Sequence, residues 1–289
     1  MRSKLFVPGS RPELFAKALA GPADGISIDL EDAVVEAQKD QARATVAAWL
    51  PTTPPGHHKV LIVRVNAMDT PHFAEDVRAV VRPGLQVLNL PKPDSPGAVR
   101  AASAAVAEAE RANGVTAPVG LLLNIETPGA LRQAAALAMA DPRVVGLQVG
   151  LGDLFEPAGV DRREVAAVQQ VLFAVRMAAA EAGVAAYDGA FAHIADTAGY
   201  LAEAQLARRL GFAGKTCIHP SQVALANDAF RPTDAEIAHA VQVLAATTAP
   251  DNQGRGAFVV NGRMVDAPFI RRAEATVRVA RSLGLLPTP

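Results

Sequence analysis

Residues that can do chemistry gather where short apolar runs end. The run at 26–30 in "ISIDLEDAV" leads into Asp29, Glu31 and Asp32. Three like charges packed so closely repel, and burying each costs several kcal/mol unless something compensates. Other runs end in a similar way: "VRVN" brings Arg64 and Asn66, "LPKPD" Lys92, "NIET" Glu126, "GLGD" Asp153, "YDG" Asp188 and "IHP" His219. If these ends converge, carboxylates outnumber the cations Arg64 and Lys92, and a divalent cation is the partner that makes them tolerable. Oxygen-only ligands favour Mg2+, and no Cys/His cluster offers a zinc site. Glu126 and Asp153 are the expected direct ligands, because adjacent strands set them side by side. Asp29, Glu31 and Asp32 then hold coordinated waters or orient Arg64 and Lys92. Plainer roles exist for several of these residues. Asp32 can cap the following helix, Asp188 can be structural, and His219 before Pro220 can be a turn or packing histidine. Lys92, between Pro91 and Pro93, can be a solvated loop cation.

Convergence requires a scaffold that brings strand ends together. Eight β-rich runs are read at 4–7, 25–29, 60–65, 85–90, 119–125, 144–149, 184–187 and 215–218. Amphipathic or Ala-rich segments alternate with them at 12–20, 36–50, 71–81, 95–113, 128–140, 162–182, 196–210 and 221–230. Thr70-Pro71, Ser95-Pro96 and Thr127-Pro128 read as helix starts, a capping residue before Pro at the first helical position. Several runs show little alternation, as expected for strands buried on both faces. Eight β/α units predict an α/β fold, a (β/α)8 TIM barrel whose chemistry sits at the C-terminal strand ends. A doubly wound open sheet is the runner-up, but no G-x-G-x-x-G follows the first strand. Within 51–58, "PTTPPGHH" reads as a loop.

Beyond residue 230 the pattern changes. A helix is expected at 233–246, an exposed loop at "PDNQGRG", a hairpin turning at Asn261-Gly262 between 258–260 and 264–265, and a last helix at 268–283. None of this is needed to close a barrel. Residues 1–230 are therefore expected to form the TIM-barrel catalytic domain. Residues 231–289 are expected to form a helix–hairpin–helix lid or oligomerisation arm.

Composition removes some partner classes. The 289 residues are 50% hydrophobic and carry 28 basic against 29 acidic residues, for a net charge of −1. That leaves no basic surplus for a phosphate backbone, and 4% aromatics give few stacking platforms for bases. Nucleic acid and membrane are not expected partners. The first apolar run is too short for a signal peptide, and a single cysteine, Cys217, permits no internal disulfide. A cytoplasmic location is expected.

"LFVPGSRPELFAKAL", "DGISIDLEDAV", "VRVNAMDT", "LNLPKPDS", "LLNIETPGAL", "VGLGDL" and "GFAGKTCIHPSQVALAN" together resemble the citrate lyase β-subunit-like group of the HpcH/HpaI aldolase superfamily, in order along nearly the whole chain. "VVNGRMVDAPFIRRA" resembles the C-terminal lid of malyl-CoA lyases. The resemblance implies a Mg2+-dependent carbon–carbon lyase on a TIM barrel. It would split a 3-hydroxyacyl-CoA thioester of malyl-, citramalyl- or citryl-CoA type into a 2-oxo acid and an acyl-CoA. It also implies metal acids at Glu126 and Asp153, an arginine on the substrate at Arg64, and a homo-oligomer in which Asp266 acts as acid/base in a neighbouring subunit's site. Asp266 has a second reading as the cap of the last helix. Asp32 joins Arg64 and Asp266 in the expected catalytic set. Lys92 is expected to contact substrate, and Phe6 and Arg11, in "LFVPGSR" at the first strand and its end, to meet a thioester arm lying over the first three strands. The relatives also leave alternatives: a CoA-independent aldolase of free hydroxy acids, a β subunit working only inside a citrate lyase complex, or an inactive scaffold. The free-acid branch typically carries a histidine near the second strand, and none stands beside "DLEDAV" here.

Overall fold

Strands that are apolar on both faces need cover on both, and a closed barrel wrapped in helices supplies it. The computed structural model describes residues 1–54, 56–249 and 255–287. The chain divides into two compact units, Met1–Phe230 and Arg231–Pro289.

In the first unit, eight parallel strands close in sequence order: β1 (Ser3–Pro8), β2 (Gly25–Asp29), β3 (Val60–Arg64), β4 (Val87–Leu90), β5 (Gly120–Ile125), β6 (Val144–Val149), β7 (Ala185–Asp188) and β8 (Gly214–Cys217). β1 pairs with β8, Leu5 opposite Cys217, which rules out the open doubly wound sheet. The helices are α1 (Phe15–Ala20), α2 (Lys39–Trp49), α3 (Phe73–Val80), α4 (Pro96–Asn113), α5 (Pro128–Arg132), α6 (Ala134–Ala138), α7 (Leu151–Phe155), α8 (Val165–Glu181), α9 (Thr197–Arg209) and α10 (Pro220–Phe230).

Capping explains several boundaries. Ser95 and Thr127 each accept a hydrogen bond at 3.1 Å, from Ala98 N and Ala130 N. Such a cap contributes about 1 kcal/mol. Thr70 does not cap α3. Its hydroxyl closes on Ala67 O at 2.7 Å in a turn, and the helix starts at Phe73. The expected helix at 128–140 breaks at Gln133, whose backbone (φ −118°, ψ 21°) leaves the helical region. In the expected loop at 51–58, a short 3-10 turn covers Leu50–Thr52; Pro55 lies outside the described residues. The short helix α7 was not expected from sequence.

Alternation along each strand separates two environments. On β5, Leu121, Leu123 and Ile125 join the apolar core beneath the helices. Leu122 and Asn124 alternate with them and face the lumen, and Glu126 follows at the strand end. The same parity places Lys4 and Phe6 of β1, Asn89 of β4 and Gln148 of β6 inside the barrel. Lys4, Asn89, Asn124 and Gln148 are all buried, so the layer beneath the mouth is polar.

The second unit holds α11 (Asp234–Thr247), an antiparallel hairpin of β9 (Ala257–Val260) and β10 (Arg263–Asp266), and α12 (Ala267–Ser282). Asn261 (φ 50°) and Gly262 (φ 75°) form the tight turn that the Asn-Gly pair predicts. Phe258, Val260 and Val265 pack with Val243 and Val277 in a core of their own. Most of the expected "PDNQGRG" loop, residues 250–254, lies outside the described residues.

Candidate functional site

The C-terminal strand ends of the barrel surround a cavity of about 480 Å³, lined among others by Phe6, Asp32, Arg64, Glu126, Asp153 and Arg162. The crowded acids after β2 resolve into a clamp on Arg64. Asp29, buried at the strand end, takes Arg64 Nε on Oδ1 and Nη2 on Oδ2, both at 2.7 Å. Its oxygens also accept Glu31 N at 3.1 Å and Ala33 N at 3.0 Å, so Asp29 holds both the arginine and its own loop. Asp32 lies 3.2 Å from Arg64 Nη1 and is 60% exposed at its side chain, facing the cavity rather than capping a helix. Glu31 Oε2 is an ion-pair neighbour of Nη1 at 2.7 Å but lacks hydrogen-bond alignment and is buried without a hydrogen-bond partner among the described residues. The Arg64 guanidinium sits 4.9 Å from the centroid of the Phe6 ring, and Lys4 Nζ lies 4.4 Å from it. Truncating one partner of a buried ion pair such as Asp29–Arg64 costs about 3–5 kcal/mol, because the other charge is left unpaired.

The loop after β2 is anchored from behind. Lys39 Nζ donates to Leu30 O and Glu31 O, each at 2.9 Å, and to Asn66 Oδ1 at 2.6 Å. Asn66 donates to Asp76 and Leu30 O, so it supports this loop and does not reach into the cavity.

One residue joins the two expected metal acids. Lys92 donates its backbone N–H to Glu126 Oε1 at 3.1 Å, while its Nζ lies 2.9 Å from Asp153 Oδ1 and 3.6 Å from Glu31 Oε1. Lys92 is thus an engaged cation rather than a solvated one. Asp153 is carried on α7, not on the strand itself. Gly150, just before that helix, is required by contact: a Cβ there would collide with the Cβ and Oε2 of Glu126.

The electrostatics follow from burial. Burial pushes the Glu126 carboxyl up to about 7, Asp153's charge adds to that, and Arg64 and Lys92 oppose it. Burial likewise pushes Glu31 up to about 7 against the pull of Arg64. For Arg64 burial alone would lower the pKa, but the hydrogen bonds and charge of Asp29, then Glu31 and Asp32, hold it above its ordinary value. Burial also works against charge on Lys92, and Asp153 and Glu31 overcome it. In Lys4, burial and then Arg64 hold the amine well below its usual range.

These features suit Mg2+. Two carboxylates with room for water and substrate oxygens are its usual protein ligand set. Two buried carboxyls, Glu31 and Glu126, pushed up to about 7 are the arrangement a cation would relieve. Among the described residues, no three His, Cys, Asp or Glu side chains gather into a fuller metal cage.

Other expected residues lie elsewhere. Arg11 is exposed and pairs with Glu13 at 2.9 Å, and it does not line the cavity. Asp188 accepts Lys215 Nζ at 2.6 Å in a buried pair, its structural reading. His219 bonds Ser221 Oγ at 2.8 Å in an exposed turn. Asp266, in the second unit, occupies the cap position of α12 but makes no cap hydrogen bond; its Oδ1 is buried without a partner among the described residues. Asn89, Asn124, Gln148, Gly150 and Arg162 were missed from sequence. The signal for the first three is a lone amide interrupting an apolar strand in each of three consecutive strands, "LNL", "LLNI" and "GLQV".

Fold and mouth together define a (β/α)8-barrel protein with a clamped arginine beside paired acids. The HpcH/HpaI aldolase/citrate lyase family model matches residues 2–220. The citrate lyase subunit beta of Leuconostoc mesenteroides subsp. cremoris is 34% identical, over 99% of this chain and 95% of that protein. The L-malyl-CoA/beta-methylmalyl-CoA lyase of Cereibacter sphaeroides (strain ATCC 17025 / ATH 2.4.3) is 35% identical over 98% and 95%. The crystal structure of CitE from Mycobacterium tuberculosis, in complex with magnesium, acetoacetate and coenzyme A, aligns with a TM-score of 0.77 at 34% identity, covering 97% of this chain and all of that one. The chain belongs to the HpcH/HpaI aldolase/citrate lyase family.

Proposed function

We propose that the protein is a Mg2+-dependent carbon–carbon lyase that cleaves a 3-hydroxyacyl-CoA thioester, of malyl-, citramalyl- or citryl-CoA type, into a 2-oxo acid and an acyl-CoA. The observation that carries this reading is the mouth itself: Arg64 fixed by Asp29, beside Glu126 and Asp153 tied together by Lys92. The relatives point the same way, being lyases of CoA thioesters or of citrate, with a solved neighbour holding magnesium and coenzyme A.

Glu126 and Asp153 would hold the ion. When bound, Mg2+ supplies Lewis acidity that lowers the pKa of the substrate hydroxyl. Arg64, with its fork held rigid, binds the carboxylate of the departing 2-oxo acid. Such a preorganised donor is commonly worth about 3–4 kcal/mol in the transition state. As the hydroxyl passes its proton to a carboxylate of the mouth, the carbon–carbon bond breaks, its oxygen becomes the carbonyl of the 2-oxo acid, and the electron pair of the broken bond passes to the thioester enolate. The enolate carbon then takes a proton from a general acid. Asp266, supplied by the second unit of a neighbouring copy in a homo-oligomer, is the proposed acid, and Asp32 beside Arg64 is the second polar group at the reacting end. Phe6 offers an apolar wall to the thioester.

The near-equal identity to a citrate lyase subunit favours one second reading, a β subunit fed by a carrier-bound citryl group. Malyl-, citramalyl-, methylmalyl- and citryl-CoA, free hydroxy acids and carrier-bound citryl groups, incubated with Mg2+ while 2-oxo acid is followed, separate the readings. CoA esters are expected to be cleaved, and Glu126→Gln and Asp153→Asn to lower kcat at least a hundredfold. Turnover of carrier-bound substrate alone selects the second reading. Full activity of both variants overturns the site.

A further inference from the structure

The polar lumen beneath the mouth contains an ordered chain of donors. Lys4 Nζ donates to Asn89 Oδ1 at 3.3 Å. Asn89 Nδ2 donates to Asn124 Oδ1 at 2.8 Å and to the carbonyl of Leu122 at 3.0 Å. Asn124 Nδ2 then donates to Glu126 Oε1 at 3.3 Å. Each end fixes the polarity. A backbone carbonyl only accepts, so Leu122 turns the Asn89 amide nitrogen toward β5. The Asn89 nitrogen then forces Asn124 to present its oxygen, and the Asn124 nitrogen is left facing the carboxylate.

Glu126 Oε1 therefore receives two donors, Asn124 Nδ2 and the Lys92 N–H, while Oε2 receives none among the described residues. Both donors act on one oxygen of a buried carboxylate that lines the cavity. That arrangement fixes the rotation of the carboxylate and leaves its second oxygen uncommitted.

We infer that Asn89 and Asn124 are positioning residues, which hold Glu126 so that a single oxygen, Oε2, is presented to a divalent cation. This inference rests on the reading of Glu126 as a ligand of that ion. Outer partners that orient a metal-binding carboxylate commonly alter affinity 10–100-fold when removed.

The test measures Mn2+ affinity of the full chain at one fixed pH, by electron paramagnetic resonance of free Mn2+, with thermal midpoints taken in parallel. Glu126→Gln tests the ion site itself. Asn124→Leu and Asn89→Leu exchange an amide for an apolar group of similar size, and each is expected to weaken Mn2+ binding about 10–100-fold. Asn89→Leu leaves the Lys4 amine without its partner. If that variant fails to fold, the double variant Asn89→Leu/Lys4→Met removes both polar groups. Its prediction is the same 10–100-fold weakening of Mn2+ binding, now with no buried amine left without a partner. Wild-type affinity in the asparagine variants, with binding still lost in Glu126→Gln, overturns the positioning role and leaves the ion site standing. Unchanged binding in Glu126→Gln overturns the ligand reading and this inference with it.

Discussion

At the scale of single residues, the mouth is an exercise in sharing counter-charge. Asp29 is consumed by Arg64, and Lys92 divides itself between Asp153 and Glu31. Burial nonetheless lifts Glu31 and Glu126 from 4.5 to about 7, against the pull of Arg64 and Lys92. The sign follows directly. A carboxyl whose folded pKa exceeds its unfolded one favours the fold while protonated, so this contribution is complete below about pH 4.5 and is lost as pH rises through about 7. The metal-free protein is therefore expected to lose stability between pH 5 and 8, by on the order of 2–3 kcal/mol per group. Chemical denaturation of wild type and Glu31→Gln across that range checks this, because the variant should lose less. An equal loss in both excludes Glu31 as a cause. Sequence made the acids of this site legible because charges at the end of an apolar run are conspicuous. It hid Lys4, since a lysine in "RSKLFV" reads as a surface residue until the barrel closes around it.

At the scale of elements, the β5–β6 edge and α7 set the two proposed metal acids. Asn124 stands opposite Gln148 and Ile125 opposite Val149 in the pairing register. After that register, Gly150 lets the chain pass close against Glu126 before α7 presents Asp153. Gly150→Ala is expected to displace Glu126, weakening Mn2+ binding at least tenfold at a stability cost of about 1–3 kcal/mol. Binding at wild-type strength in that variant would show that the carboxylate tolerates the shift. The strands were readable from sequence because burial on both faces leaves unbroken apolar runs. β2 and β6 have the bounds expected from composition alone. Five-residue α7 was not readable, since "LGDLF" is too short to show helical periodicity and its glycine argues against a helix. The break at Gln133 was hidden for the opposite reason: the Ala-rich sequence around it favours helix without interruption.

At the scale of the whole molecule, near-neutral charge leaves recognition to the local field of the mouth. Among the described residues, no helix is long and apolar enough to cross a membrane. The proposal that Asp266 completes a neighbouring copy's site predicts complementation. Asp266→Ala and Arg64→Ala should each be inactive alone, and mixing them, with subunit exchange, should restore part of the activity; no recovery would assign Asp266 to another task. The second unit was legible through Asn261-Gly262, but no sequence pattern reveals that Asp266 Oδ1 is buried without a partner among the described residues. Lys92 carries a last implication. It holds φ 48°, a left-handed conformation uncommon outside glycine, between two buried prolines whose own φ is locked by their rings. A hinge cannot be built from such a tripeptide. Any motion at the mouth must therefore flex elsewhere, while Lys92 keeps its place between Glu126 and Asp153.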